Sequence, residues 1–259
     1  MKIIIRNCNV AELDIPLKYA TKLYNEFAIR HPNAFYLRTR QRGMQNWDGK
    51  IKYITKTGQF KIGLLPSVYK RCIELGIKPI IVDMRQPLPK VSKVVTQIGK
   101  YKLRPEQEKA VKAILSNKLG ETPFQIGVLD YTVNAGKTLI MSALYLSYKK
   151  QLKTLLITND SDWLNQAREE FKQYLPGEDI TFVQGKVLNW SNFTIGMVQS
   201  ISRNMRFYQK ELSQIDMVLI DEADQGGSKQ YQNVITRLFN TRIRIGLSGT
   251  IYMSKLAKD

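Results

Sequence analysis

A glycine, a lysine and a threonine stand together at Gly136-Lys137-Thr138, behind an apolar run (Ile126, Val128, Leu129) and ahead of a segment of helix length, Leu139 to Lys150. At a strand-to-helix turn, residues of these types can hold phosphate. Backbone N–H groups at the helix start face the anionic oxygens, the lysine supplies a point charge, and the threonine hydroxyl is a ligand for Mg²⁺. The full pattern places glycine at position 131, where this chain has Tyr131, and Asn134 stands where a second glycine is common. Asparagine tolerates left-handed backbone better than other non-glycine residues. About eighty residues downstream, Met217-Val-Leu-Ile220 delivers Asp221-Glu222-Ala223-Asp224. Two carboxylates after a buried strand are what nucleotide hydrolysis requires, the first to hold Mg²⁺ and the second to orient and deprotonate the attacking water. Either motif alone is common; in this order, on alternate elements, they describe one site.

The elements that must position these residues alternate with the rhythm of a parallel sheet. Strands are expected at Thr154–Thr158, Thr181–Val183, Phe193–Val198, Met217–Ile220 and Ile243–Leu247. A helix from about Ser161 carries Trp163, Ala167 and Phe171 on one stripe, and another follows Pro105, with Ala110, Val111, Ile114 and Leu115 inward. Pro105 suits the first helical turn, where a missing N–H costs nothing. Gln107 then lies one turn in, where its amide can donate to and accept from an adenine edge; an ordinary surface glutamine is the plainer reading. Each polar motif falls at a strand's carboxyl end, the ligand edge of open α/β sheets.

The first 100 residues carry nineteen Lys and Arg against six Asp and Glu, most of the chain's net charge of +18. The turn-rich stretch Arg85–Lys93 reads as a linker, dividing a small basic α+β domain (1–92) from a larger α/β domain (93–259). In the first, strands are expected at Lys2–Asn7, Phe35–Arg38, Lys50–Thr55, Gln59–Ile62 and Pro79–Asp83, with helices at Pro16–Arg30 and Pro66–Leu75. On a strand Arg38, Arg40 and Arg42 would share one edge, with Lys50 and Lys52 repeating the spacing beyond the Trp47-Asp48-Gly49 turn. Regular cations with an aromatic nearby suit a phosphate backbone with a base or sugar stacked on Trp47. A solvated basic face, with Trp47 plugging a small core, is the structural alternative.

Such a charge favours a polyanionic partner, nucleic acid before membrane. No apolar run approaches the roughly 20 residues that cross a bilayer, and the amino terminus turns polar too soon for a signal peptide. Cys8 and Cys72 have no metal-ligand spacing and read as reduced thiols of a cytoplasmic protein. His31 carries no specific expectation.

Taken in order, Tyr101–Gln107, Thr132–Thr138, Thr158–Gln166, Thr194–Ser200, Asp221–Asp224 and Gly246–Thr250 resemble the Q-type motif and motifs I, Ia, Ic, II and III of superfamily 2 helicases. Gly246-Leu-Ser-Gly-Thr250 and the amino-terminal Asn46-Trp-Asp-Gly-Lys-Ile-Lys52 resemble the phage UvsW-type branch-migration helicases within that group. The resemblance implies a RecA-like doubly wound parallel sheet, a P-loop NTPase lobe, preceded by the small α+β domain. It implies ATP bound by Arg104, Gln107, Thr132, Asn134, Ala135, Gly136, Lys137 and Thr138, with Mg²⁺ on Thr138 and Asp221. Lys137, Asp221 and Glu222 would be catalytic. Asp224, Ser248 and Thr250 would couple nucleotide state to nucleic acid, which Asn159, Asp160, Gln199 and Ser200 would help to hold. Thr132-Val133-Asn134 replaces the usual Pro-Thr-Gly, and Asn159 replaces a usual proline.

The expected partner is DNA, branched or forked duplex, with the protein a monomer away from membranes, in the host cytoplasm if phage-encoded. Asp224 closes motif II as in DEAD-box RNA helicases, so an RNA-remodelling ATPase is the alternative; a non-motor, nucleotide-sensing DNA-binding protein is another. Only Ile251–Asp259 follow motif III, whereas the family uses a second RecA-like lobe. The chain is therefore expected to be the amino-terminal part of a longer protein, inactive or nearly so by itself.

Overall fold

Apolar strands alternating with amphipathic helices give the computed structural model a wound parallel sheet, preceded by a smaller mixed sheet. It describes residues 1–41, 43–91, 93–131, 136–148, 151–185 and 187–249, apart from the side chains of 187, 188 and 225. The chain divides into two compact units, Met1–Arg85 and Gln86–Asp259.

In the first unit β1 (Lys2–Ile5), β2 (Val10–Asp14), β5 (Gln59–Lys61) and β6 (Ile80–Asp83) form one sheet in the order β5-β2-β1-β6. Helices α1 (Leu17–Glu26) and α3 (Leu65–Glu74) are held together by Arg71, which donates to both Glu26 oxygens at 2.8 and 3.0 Å. Between α1 and β5 the chain makes β3 (Ala28–Arg30), α2 (Ala34–Arg40) and β4 (Lys50–Lys52), with β3 and β4 paired antiparallel.

Residues 35–38 therefore lie in a helix and not in the expected strand. β4 pairs with β3 in a sheet of two strands, and among the described residues 34–40 join neither; the turn of Ala34 and Leu37 toward the unit follows helical spacing instead. The strand-edge alignment of Arg38 and Arg40 falls with it, because residues two apart on a helix project about 200° from one another. The expected helix 16–30 ends at Glu26, and β2 is a strand that the sequence reading did not mark.

The second unit opens with two small hairpins, β7 (Gln97–Ile98) with β8 (Tyr101–Lys102) and β9 (Lys118–Leu119) with β10 (Thr122–Pro123), around α4 (Pro105–Ser116). The main sheet has β11 (Ile126–Asp130), β12 (Thr154–Thr158), β13 (Ile180–Gln184), β14 (Val187–Leu188), β15 (Phe193–Met197), β16 (Met217–Asp221) and β17 (Ile243–Ser248). Their spatial order is β11-β17-β16-β12-β15-β13-β14. Six strands run parallel and β14 pairs antiparallel at one edge.

Successive residues of β12 face opposite layers: Leu156 packs with Ile140, Leu144 and Phe193, whereas Leu155 and Ile157 pack with Val198, Leu212 and Tyr231. The first layer is covered by α4, α5 (Lys137–Ser147) and α6 (Ser161–Tyr174), the second by α7 (Val198–Arg203), α8 (Gln209–Ser213) and α9 (Lys229–Ile235). Helix α5 is buried from Leu139 to Tyr145, as befits a helix apolar all round. Leu88 and Val91 pack on the first layer, so the stretch read as a linker lies on the second unit.

Candidate functional site

The carboxyl ends of β11, β12, β15, β16 and β17 bring Gly136–Thr138, Asn159, Gln199, Asp221–Asp224 and Ser248 to one edge of the sheet. At its centre Lys137 Nζ lies 3.0 Å from Asp221 Oδ1 and 3.2 Å from Glu222 Oε1. Burial works against the lysine's charge, but the two carboxylates outweigh it and hold its pKa above the ordinary value. Burial likewise pushes the Asp221 carboxyl up, with the ammonium pulling it back in part.

Gly136 caps α5 at φ 78°, in the left-handed region. A Cβ there would meet Gln107 Nε2 at 2.4 Å, which that side chain could relieve by turning aside, so it is the positive φ that favours glycine. Gln107 is buried, and its Oε1 accepts from the Arg104 backbone N–H at 2.9 Å. The amide is thereby oriented by the start of α4, with its nitrogen toward the loop. Arg104 itself pairs with Glu106 at 3.0 Å.

Asp221 is 1 % exposed, and its Oδ1 has no hydrogen bond in addition to the nearby ammonium. The Thr138 hydroxyl belongs to a buried residue at the same helix start. A buried carboxylate oxygen with unused accepting capacity and a hydroxyl are the oxygen donors that Mg²⁺ takes, so these residues fit that ion. Next along the chain, Glu222 has φ 52°, a costly conformation for a side chain of this kind, usually kept where the surroundings enforce it. Tyr231 donates to the Asp221 carbonyl at 3.4 Å and steadies the same turn.

The Ala223–Gly227 segment is a single 3₁₀ turn laid against β17. A Cβ on Gly246 would fall 2.6 Å from Ala223 Cβ, so that glycine sets how near the turn comes. Ser248 Oγ then donates to Asp224 Oδ1 at 3.0 Å. A cleft of about 800 Å³ runs from Gly136–Thr138 and Asp221-Glu222 to Asn159, Asp160 and Trp163, within the volume range of ligand sites. The arrangement can bind an oxyanion at Lys137 and hold a carboxylate beside it for proton transfer.

The structure also brings Asn159 and Gln199 together: Gln199 Nε2 donates to the Asn159 carbonyl at 3.4 Å. Asp160 Oδ1 caps α6, accepting from the N–H groups of Asp162 (2.8 Å) and Trp163 (3.1 Å). Ser200 Oγ accepts from the Gly185 N–H at 2.9 Å. Leu164, and not Trp163, completes the buried stripe of α6, which leaves Trp163 to line the cleft. Tyr231 was invisible to motif reading because nothing in a helical tyrosine marks the carbonyl it will meet.

Arg38, Arg40, Trp47, Lys50 and Lys52 all lie in the first unit. Trp47 donates through Nε1 to the Lys50 carbonyl at 3.0 Å and meets His31 edge-on at 5.7 Å. Lys52 pairs with Asp48 at 3.2 Å and lies over the Tyr24 ring. Arg42, Thr132, Asn134, Ala135 and Thr250 lie outside the described residues.

Residues 100–253 match the family model described as "Type III restriction enzyme, res subunit". The chain is 24 % identical over 227 residues to the ATP-dependent DNA helicase uvsW of Enterobacteria phage T4, covering 80 % of this chain and 43 % of that protein. It is 24 % identical over 147 residues to a protein of Acanthamoeba polyphaga mimivirus named as an ATP-dependent RNA helicase, covering 56 % of this chain and 27 % of that one. The chain thus spans less than half the length of either relative. Among solved structures, one of the bacteriophage T4 UvsW helicase superposes with a TM-score of 0.73 at 22 % identity, over 96 % of this chain and 93 % of that one. A second gives 0.75 over 98 % and 54 %. The Sulfolobus solfataricus SWI2/SNF2 ATPase core in complex with dsDNA gives 0.50 at 22 % identity, over 64 % and 36 %.

Proposed function

The chain belongs to the Type III restriction enzyme res-subunit family of superfamily 2 helicases, and from that premise we propose that it is the amino-terminal part of an ATP-dependent DNA translocase acting on branched or forked duplex. The observation that carries this reading is the meeting of Lys137 with Asp221 and Glu222 at the ligand edge. The ammonium lies between the two carboxylates, 3.0 Å from Asp221 and 3.2 Å from Glu222. Bound triphosphate would draw it toward the β- and γ-oxygens, leaving Asp221 to face Mg²⁺ together with Thr138. The ion supplies charge neutralisation on the transferred phosphoryl group. Glu222, held by its left-handed backbone, would take the proton of the attacking water. The hydrogen bond from Ser248 to Asp224 ties the hydrolytic turn to the next strand, the link through which nucleotide state would reach bound DNA.

DNA as partner is supported by the basic first unit and by the named activity of the phage T4 relative. The mimivirus relative's name and Asp224 support RNA as the second reading. Action as a monomer in the cytoplasm, the host's if phage-encoded, belongs to the same proposal. Among the described residues no helix is long and apolar enough to cross a membrane.

The 259 residues alone should hydrolyse ATP negligibly. Arg242 and Arg244 lie at the amino end of β17, donating to the carbonyls of Gln86, Thr241 and Leu238. Neither can reach a γ-phosphate, and an arginine there contributes about 10³–10⁵ in rate. Measured on the chain with its complete motor, ATPase should rise with forked DNA. Stimulation by single-stranded RNA in its place would move the reading to an RNA-remodelling ATPase, and none by either would leave a nucleotide sensor. Brisk multiple-turnover ATPase from these residues alone would refute the assignment of the missing arginine.

A further inference from the structure

In the first unit, the largest exposed aromatic surface stands on α2. Phe35 is 79 % exposed and Tyr36 54 % exposed, on a seven-residue helix whose only buried residue is Ala34. Large aromatics left in water at consecutive positions are seldom retained without a partner. Their surroundings are cationic. Arg38 and Arg40 follow on the same helix, and the Arg40 guanidinium lies 5.1 Å from the Tyr36 ring centre. Arg30 sits directly across from Lys50 in the β3–β4 pair, a placement of like charges that is unfavourable until an anion comes between them. Among the described residues neither forms an ion pair, and Met1–Arg85 as a whole carries sixteen Lys and Arg against six Asp and Glu.

Trp47, by contrast, is committed to its own unit. Its N–H is bonded to Lys50, its ring meets His31, and beside it Gly49 approaches so closely that an added Cβ would lie 3.0 Å from Ala34 Cβ. The tight loop that Trp47 closes is the base from which α2 projects.

We propose that Phe35 and Tyr36 form a stacking platform for unpaired bases of single-stranded DNA, with Arg38, Arg40, Arg30 and Lys50 following its phosphates. Base faces are the apolar surface that a polyanion can offer, and only unpaired bases expose them. Stacking supplies affinity without sequence readout, and the cations supply the salt dependence. This rests on the DNA reading above and locates the place where strand separation would be felt.

The test uses the 259-residue chain, with binding to oligo-dT, to a blunt duplex and to oligo-U followed by anisotropy at several salt concentrations. Phe35→Ala and Tyr36→Ala should each weaken oligo-dT binding about 5- to 150-fold and leave duplex binding within about twofold. Phe35→Trp should retain wild-type affinity. Neither aromatic change should alter the salt slope, whereas Arg38→Ala and Arg40→Ala should each lower it by about 0.7 on the single strand. Both rings are exposed, so thermal unfolding should stay within the small range of surface substitutions. If the wild type binds oligo-dT and the double aromatic variant binds it equally well, the platform is refuted and the DNA reading stands. Equal losses on duplex, or binding confined to oligo-U, would also refute it. No binding to any nucleic acid would bring down the DNA reading itself.

Discussion

Lys137 and Glu222 meet at 3.2 Å, and substitutions should separate the roles proposed for them. In the protein with its complete motor, Lys137→Ala should weaken nucleotide binding about 10- to 150-fold, the loss of hydrogen bonds to a charged group. Glu222→Gln keeps the shape and should leave ATP bound while slowing hydrolysis by about 10²-fold or more. Equilibrium binding beside single-turnover hydrolysis distinguishes the two, and wild-type hydrolysis by Glu222→Gln would remove it as the base. That the two would meet was legible in the sequence, because the order of the two motifs on alternate elements brings them to one sheet edge. Their supports were not. Gln107 marks itself as polar at a helix start, but that its oxygen is spent on the Arg104 N–H and its nitrogen faces Gly136 depends on where α4 docks. The left-handed turn at Glu222 had no cue, since glutamate is not a residue that announces such backbone.

The parallel strands and the helices α4, α5 and α6 could be read because buried strands are continuous apolar runs and long helices show their apolar faces, whereas the short α7, α8 and α9 were not marked. The start of α6 near Ser161 was read, but Asp160, whose carboxylate caps that helix, was not marked as its cap. The first unit was harder. Its elements are short, α2 carries only Ala34 to the interior, and a seven-residue stretch with two aromatics looks like a strand until its pairing partner is known. Among such short elements, α1 and α3 are bridged by an ion pair in addition to their buried apolar residues. Hydrogen bonds from Arg71, before its charge, hold the Glu26 carboxyl below its ordinary value of 4.5. The folded state thus binds that proton less readily than the unfolded one. Its stabilisation is complete above about pH 4.5 and disappears as pH falls through the lower folded value. Glu26→Gln should therefore lower stability by about 0.5–1 kcal/mol at pH 7, a magnitude reduced by exposure, and by nearly nothing at pH 3. Denaturant unfolding at the two pH values measures the difference; an equal loss at both would assign it to packing.

Taken whole, the chain places a basic unit before a lobe whose polar motifs share one sheet edge. The sheet also has an outer strand of another kind. Among the described residues β11 is hydrogen-bonded to β17 alone, and its Val128 is 56 % exposed. A strand edge with free peptide groups and an apolar side chain invites a second strand. In a concentrated preparation, copies would meet first along this border, giving reversible clusters that scatter light and limit solubility. Val128→Lys would put a charge on the border while disturbing little inside, and should shift the onset of scattering to higher concentration at unchanged melting temperature. The strand that ends at Asp130, ahead of the lysine that meets Asp221 and Glu222, would thereby also set how crowded a solution this protein tolerates.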